Sequence, residues 1–250
     1  MNIFAFIPSR YASTRFPGKS LATIAGKPMI QRTYGCAARC PGISEIYVVT
    51  DDKRIFERVE DFGGKAVMTK EKHPSGTDRI AEAVEILGLA DEDIIVNIQG
   101  DQPFFSPSVI SDMVKPLIED NTIPMSTLKY RINDPEEINN SNIVKVVSDN
   151  DDFALYFSRS TIPFYREKNS EQEYYKHLGF YAYRKDFILE FSRMPSGKLE
   201  NAEKLEQLRA MENGYRMKVV ETDFDSIEVD TMEDLRKVEE LINNSEIKYG

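Results

Sequence analysis

Tryptophan is absent from this 250-residue chain, and cysteine and histidine occur only twice each. Cys36 and Cys40 stand four apart on an expected helix. No third or fourth thiol lies nearby to complete a zinc site, so the two read as small buried hydrophobes. Two such thiols fit a reducing compartment. No apolar run approaches the roughly 18 residues that a membrane span requires. The opening MNIFAFIPSR has no basic leader and too short an apolar stretch for a signal peptide, and reads as a first strand. A cytoplasmic protein without a membrane partner is therefore expected. The net charge of −10 excludes non-specific nucleic-acid binding, which needs a basic face. Acid is also missing locally. Residues 1–44 carry Arg10, Arg15, Lys19, Lys27, Arg32 and Arg39 but no Asp or Glu, and Glu45 is the first acid. A purely cationic segment in an acidic protein points to a polyanion site.

What is present is alternation. Ile3–Pro8, Ile46–Thr50, Ala66–Met68 and Asp93–Gln99 read as strands. Between and after them, the segments beginning at Met29, Arg54, Thr77 and Pro107 read as helices. That order predicts a doubly wound, mostly parallel α/β sheet, which binds ligands at the carboxyl ends of its strands. The second half is less regular. Val144–Val147, Ala154–Phe157, Gly179–Tyr183, Met217–Val220 and Ile227–Val229 are expected strands. Leu199–Asn213 is an expected helix with a Glu200–Lys204 pair, and Thr231–Ile242 an expected closing helix. With no linker, repeat or low-complexity tract, the reading is one domain over 1–250, with a β-rich insertion at about 125–195 available for dimer contacts.

Five constellations could carry chemistry. Arg10-Tyr-Ala-Ser-Thr-Arg-Phe-Pro-Gly-Lys19 follows the first strand and offers two guanidiniums and an ammonium, enough to hold a triphosphate and a departing diphosphate. Gly18-Lys19-Ser20 is not a P-loop: Ser13 stands at the first glycine position, and Gly26 and Pro28 interrupt any following helix. Asn97-Ile-Gln-Gly-Asp-Gln-Pro103 places Asp101 just past a buried strand, where a carboxylate can hold Mg²⁺ or make a turn. Asp230, in Ser226-Ile-Glu-Val-Asp-Thr231, is another strand-end acid, either a metal ligand or a helix N-cap. His73-Pro-Ser-Gly-Thr-Asp-Arg79 opens a helix and offers backbone N–H groups and hydroxyls to a base or phosphate, or a Thr77 cap. Arg159 and His177 end or occupy aromatic strands, as substrate contacts or as structural residues.

In order along nearly the whole chain, IPSRYASTRFPGK, SGTDRIAEA, VNIQGDQP, ALYFSRSTIP, KHLGFYAYRKDF, EKLEQLR and EVDTMEDL resemble the motifs of CMP-Kdo synthetases, the 3-deoxy-manno-octulosonate cytidylyltransferases. The resemblance implies a Rossmann-like nucleotidyltransferase fold, a homodimer and the reaction CTP + Kdo → CMP-Kdo + diphosphate, which feeds lipopolysaccharide biosynthesis. It implies that Arg10, Arg15 and Lys19 bind the triphosphate, with Arg15, Lys19 and Asp101 carrying catalysis. It implies that Asp101 and Asp230 ligate Mg²⁺, that Ser75, Gly76 and Thr77 help hold the nucleotide, and that Gln99, Arg159, His177, Tyr181, Glu206 and Gln207 line the pocket for the acidic eight-carbon sugar. No nucleophilic Ser or Cys is needed.

The chain departs from the common pattern at Gln102, where Glu is frequent, at Glu228, where Gly is frequent, and at Pro74. These variants resemble the branch acting on 8-amino-3,8-dideoxy-octulosonate. A cytidylyltransferase for a sialic-acid-like sugar and a non-catalytic nucleotide-binding protein are the rival readings. The second sits poorly with three loop cations and two strand-end acids all present.

Overall fold

The strands that read as unbroken apolar runs build the first sheet. The computed structural model describes residues 1–12, 16–167 and 172–249, in two compact units: 1–111 with 226–250, and 112–225. Arg15 lies outside the described residues. In chain order the first stretch comprises β1 (Ile3–Pro8), a 3-10 turn η1 (Lys19–Leu21), β2 (Thr23–Ile24), β3 (Lys27–Pro28), α1 (Met29–Ala37), β4 (Glu45–Thr50), α2 (Lys53–Asp61), β5 (Ala66–Met68), α3 (Gly76–Leu87), β6 (Ile94–Asn97) and α4 (Ser108–Glu119), within which the unit boundary falls. Then come β7 (Met125–Arg131), α5 (Pro135–Ile138), β8 (Lys145–Ser148), β9 (Ala154–Ser158), β10 (Tyr175–Arg184), α6 (Lys185–Arg193), α7 (Lys198–Glu203), α8 (Leu208–Glu212), β11 (Met217–Glu221) and α9 (Met232–Tyr249).

In the first unit the strands run β6-β1-β4-β5, all parallel. Parallel strands are covered on both faces, so they carry continuous rather than alternating hydrophobicity. Ala5, Phe6, Ile7, Val48, Val49, Ile94, Ile95 and Val96 are accordingly all fully buried. The expected α/β class holds. A second cluster joins Ile24 and Met29 to Val229, Leu235, Val238 and Ile242, which anchors α9 beside the β2–β3 turn. Fully burying such a side chain stabilises by roughly 1.5–3 kcal/mol.

The second unit is antiparallel at its centre. β7 pairs antiparallel with β10 and parallel with β11, while β8 pairs antiparallel with β9 and bridges β10 at Lys176–Lys145. This unit contains the stretch read as an insertion.

Three readings need correction. Leu199–Asn213 is not one helix: Lys204 turns left-handed at φ 55°, separating α7 from α8. Glu200 is not paired with Lys204 but with Arg209, whose Nε and terminal nitrogen donate at 2.9 and 2.6 Å. That buried, two-pronged contact outweighs an exposed i,i+4 pair. Ile227–Val229 is not a strand. It contributes instead one backbone bond, Val229 N–H to Asp101 O at 2.9 Å. β7 and α6 were not anticipated. β7 reads as polar, yet Ser126 and Thr127 are fully buried and bonded to the Met113 and Phe180 carbonyls.

Candidate active site

Parallel pairing brings the exits of β1, β4 and β6 to one edge. There, in the first unit, a polar cleft of about 280 Å³ is lined by Arg10, Lys19, Ser75, Gln99, Asp101 and Asp230, among others. The approach of the β6 exit to the β1 exit is close enough to demand glycine. A Cβ on Gly100 would stand 2.8 Å from the Pro8 carbonyl oxygen.

Three predicted residues converge. Lys19 starts η1, after Gly18 in the left-handed region. Its ammonium donates to Asp101 Oδ2 at 2.8 Å and to Asp230 Oδ1 at 3.0 Å. Burial opposes the ammonium, but the two carboxylates outweigh it and hold its pKa above the ordinary lysine value. Asp230 does not cap α9. Thr231 does, in a reciprocal arrangement: its Oγ1 accepts from Asp234 N–H at 3.2 Å, and Asp234 Oδ2 accepts from Thr231 N–H at 2.9 Å. Relieved of capping, Asp230 turns to Lys19, and the Val229–Asp101 backbone bond sets the two acid-bearing segments side by side.

Around this core, Ser75 rather than Thr77 caps α3, accepting from Asp78 N–H at 3.1 Å. Gly76 borders the cleft, whereas Thr77 is buried in the first helical turn and does not line it. Arg10 is exposed at the rim. Gln99 lies in the same cleft, with Nε2 3.3 Å from Asn97 Oδ1.

Several cleft residues escaped the sequence reading. Ser9 and Ser20 are both buried and joined by a 2.6 Å hydroxyl bond that ties η1 to the end of β1. Arg79, 4% exposed, donates to Thr69 Oγ1 at 2.6 Å and pairs with Asp51 at 3.3 Å. Its signal was positional: an arginine adjoining the apolar face formed by Ile80, Ala83 and Val84. The departures Gln102 and Glu228 touch each other, Gln102 Nε2 donating to Glu228 Oε1 at 3.4 Å. Desolvation, then Asp101 and Asp230, push the Glu228 carboxyl up to about 7, yet the residue as a whole is exposed, so solvent screening weakens that upward push.

The remaining sugar-pocket candidates lie in the second unit. His177 is stacked edgewise on Phe157 and against Tyr181, and its Nε2 is 2.8 Å from Thr127 Oγ1. Desolvation lowers its pKa to about 3, so the ring is neutral near pH 7. A register shift between Leu178 and Tyr181 marks a bulge in β10 at this point, a feature common beside functional sites. Arg159 is held in place: Nε donates to Glu203 O at 2.8 Å, a terminal nitrogen donates to Ser141 O at 3.0 Å, and its backbone N–H donates to Glu203 Oε2 at 3.0 Å. Glu203 and the fully buried Lys145, which donates to the Asn140 and Ile143 carbonyls, were not foreseen. Gln207 is 4% exposed, and its Nε2 has no hydrogen-bond acceptor among the described residues. Glu206 stands 3.9 Å from Arg209.

The chain as a whole is similar to known proteins. The sequence profile of a family described as Cytidylyltransferase matches residues 4–223. The 3-deoxy-manno-octulosonate cytidylyltransferase of Syntrophus aciditrophicus is 54% identical over 240 residues, 96% of this chain and 97% of that protein. The 8-amino-3,8-dideoxy-manno-octulosonate cytidylyltransferase of Shewanella halifaxensis is 55% identical over 238 residues, 94% of this chain and 96% of that protein. The solved structure of a CMP:2-keto-3-deoxy-manno-octonic acid synthetase complexed with CTP superposes with a TM-score of 0.92 at 40% identity, over 98% of this chain and 100% of that one.

Proposed function

The chain belongs to the cytidylyltransferase family, and from that premise we propose how its residues divide the work of activating a Kdo-type sugar. The enzyme transfers the cytidylyl group of CTP to 3-deoxy-manno-octulosonate or its 8-amino-8-deoxy analogue, releasing diphosphate. The observation that carries the reading is the meeting of Lys19 with both Asp101 and Asp230 in one polar cleft.

Arg10, Arg15 and Lys19 hold the triphosphate. Asp101 and Asp230 are the ligands for Mg²⁺. Two partly buried carboxylates, from separate segments and already reaching one shared cation, suit an ion that takes few protein oxygens and completes its shell with water and phosphate. Bound there, Mg²⁺ supplies positive charge to the phosphate oxygens. Ser75 and Gly76, at the N-terminus of α3, offer N–H groups to the nucleotide.

Arg159 takes the sugar carboxylate and the unsatisfied Gln207 Nε2 donates to a sugar oxygen, with His177, Tyr181, Glu206 and Gln99 also assigned to the sugar. The sugar's anomeric hydroxyl attacks the α-phosphorus and gives up its proton to solvent, the bond from the α-phosphorus to the oxygen bridging to the β-phosphate breaks, and diphosphate leaves against the charge of Lys19, Arg10 and Arg15. No covalent enzyme intermediate forms. Consistent with this, burial pushes the Cys40 thiol up to about 12, far from a thiolate nucleophile at neutral pH.

The protein works in the cytoplasm, where its free buried thiols persist and CTP is available. None of the described helices is long and apolar enough to cross a membrane. It acts as a homodimer, a reading supported by exposed Leu155 on β9 and Phe164 just beyond that strand, 60% and 88% accessible.

The test is diphosphate release with CTP and Mg²⁺ against Kdo, 8-amino-Kdo and neuraminate in parallel. Turnover of either octulosonate supports the assignment and names the sugar. Turnover of neuraminate alone transfers it to the sialic-acid class, and CTP binding without any product makes the chain a nucleotide-binding protein.

A further inference from the structure

Outside the cleft, a compact set of contacts grips the base of the cationic loop. Parallel pairing of β1 with β4 delivers the loop after β1 beside the start of α2, and Ser9 N–H donates to Val49 O at 2.9 Å. Asp52 is fixed there twice. Its N–H donates to Thr50 Oγ1 at 3.1 Å, and its Oδ1 caps α2 by accepting from Arg54 N–H at 2.9 Å. The same carboxylate takes the Arg54 guanidinium in a fork, Nε to Oδ1 at 2.9 Å and a terminal nitrogen to Oδ2 at 2.6 Å. The guanidinium so oriented lies over the Tyr11 ring, 3.3 Å from its centroid. The ring also presses on Gly18: a Cβ there would stand 3.1 Å from two ring carbons, and φ is +72°. Gly18 N–H closes the loop by donating to Tyr11 O at 2.9 Å. Lys19 is the next residue, and Arg10 precedes Tyr11. The stack Asp52–Arg54–Tyr11–Gly18 therefore ties the two ends of the loop together from a helix that contributes nothing to the cleft lining.

We propose that Arg54 is a positioning residue for triphosphate binding: through Tyr11 it holds the ends of the loop that present Arg10 and Lys19. The proposal rests on the reading of that loop as the phosphate site. A planar guanidinium is needed, because it alone fills the Asp52 fork and stacks flat on the ring, whereas a lysine ammonium does neither together. Loosening the clamp makes nucleotide binding bear the cost of fixing Arg10 and Lys19 in place. Cation–π contacts of this kind predict a rise in the Kd for CTP of roughly three- to tenfold.

The test compares Arg54→Ala, Arg54→Lys, Tyr11→Leu and Tyr11→Phe with the unaltered enzyme, measuring the Kd for CTP by calorimetry, KM for both substrates, kcat and Tm. The expected pattern is a raised Kd and KM for CTP in Arg54→Ala, Arg54→Lys and Tyr11→Leu, with recovery in Tyr11→Phe, which keeps the ring. The KM for the sugar and the Tm should stay near their original values. Arg54→Ala combined with Tyr11→Leu should be no worse than the weaker-binding single variant, since both remove one contact. A CTP affinity within twofold of the original in Arg54→Ala and Tyr11→Leu overturns the proposal, as does a lowered Tm with unchanged affinity. Lys19→Gln is measured alongside. If it weakens CTP binding and Arg54→Ala does not, the clamp alone is wrong; if neither does, the phosphate-loop reading and the clamp fall together.

Discussion

Lys19→Met tests the centre of the site, because it removes an ammonium bonded to both aspartates. The ammonium is 2.8 and 3.0 Å from the two carboxylates, and the side chains are 15%, 26% and 30% exposed. At an effective dielectric of about 20, one such pair is worth roughly 4 kcal/mol of gross attraction, much of it spent on desolvation. Exposed pairs net at most about 1 kcal/mol and buried ones cost about 3–5 kcal/mol when broken, so this partly buried case should cost about 2–3 kcal/mol in metal-free buffer. For a chain of this size that is a fall in Tm of roughly 4–12 °C. The pKa of Lys19 is raised, so its contribution is complete at neutral pH and fades only as pH climbs from the ordinary lysine value through the raised one; the deficit should be level between pH 7 and 9.

The assay is thermal unfolding with and without MgCl₂. In Lys19→Met the ammonium no longer competes with the ion for Asp101 and Asp230, and an ion at 100 times its Kd returns about 2.7 kcal/mol. The variant should therefore show a lower Tm in EDTA, a larger Mg²⁺-induced rise than the unaltered protein, and weakened CTP binding. An unchanged Tm in EDTA, or equal Mg²⁺ responses, would refute the shared-cation geometry.

Asp101→Asn and Asp230→Asn should each reduce turnover by at least about a hundredfold while far-ultraviolet circular dichroism stays unchanged, since a neutral amide is a poor ligand for a hard cation; near-normal rates in either would remove that residue from the metal site. The Glu228 carboxyl, pushed up to about 7, favours the protonated form in the folded protein. Stability should thus fall as pH rises from about 4.5 to about 7, and Glu228→Gln in metal-free buffer should flatten that decline and be the more stable protein at pH 8; parallel Tm–pH curves would contradict this. Cys40, buried and raised to about 12, should resist iodoacetamide at pH 8 in the native protein and react on unfolding, as followed by intact mass.

Much of this architecture is legible in the sequence. β1, β4 and β6 announce themselves because a strand buried on both faces has no choice but to be apolar throughout, and the loops at their carboxyl ends inherit the ligand site. The acid-free opening segment named the cationic loop, and the ordered motifs named the chemistry. β7 escaped because its polar side chains are satisfied only by distant partners, Ser126 by the Met113 carbonyl and Lys129 by Asp152. The break at Lys204 escaped because the buried Glu200–Arg209 contact, nine residues apart, overrode a helical pattern that local spacing supported.

The residue types at the site, and their place at strand ends, were thus determined by the sequence alone. Which of them meet was decided only by the tertiary structure. Lys19 lies 82 residues from Asp101 and 211 from Asp230. One backbone bond from Val229 to Asp101, and a Thr231 cap that releases Asp230 from the helix, are what make three charges one site. Local propensity acts over a few residues, whereas charge convergence depends on where the whole chain returns.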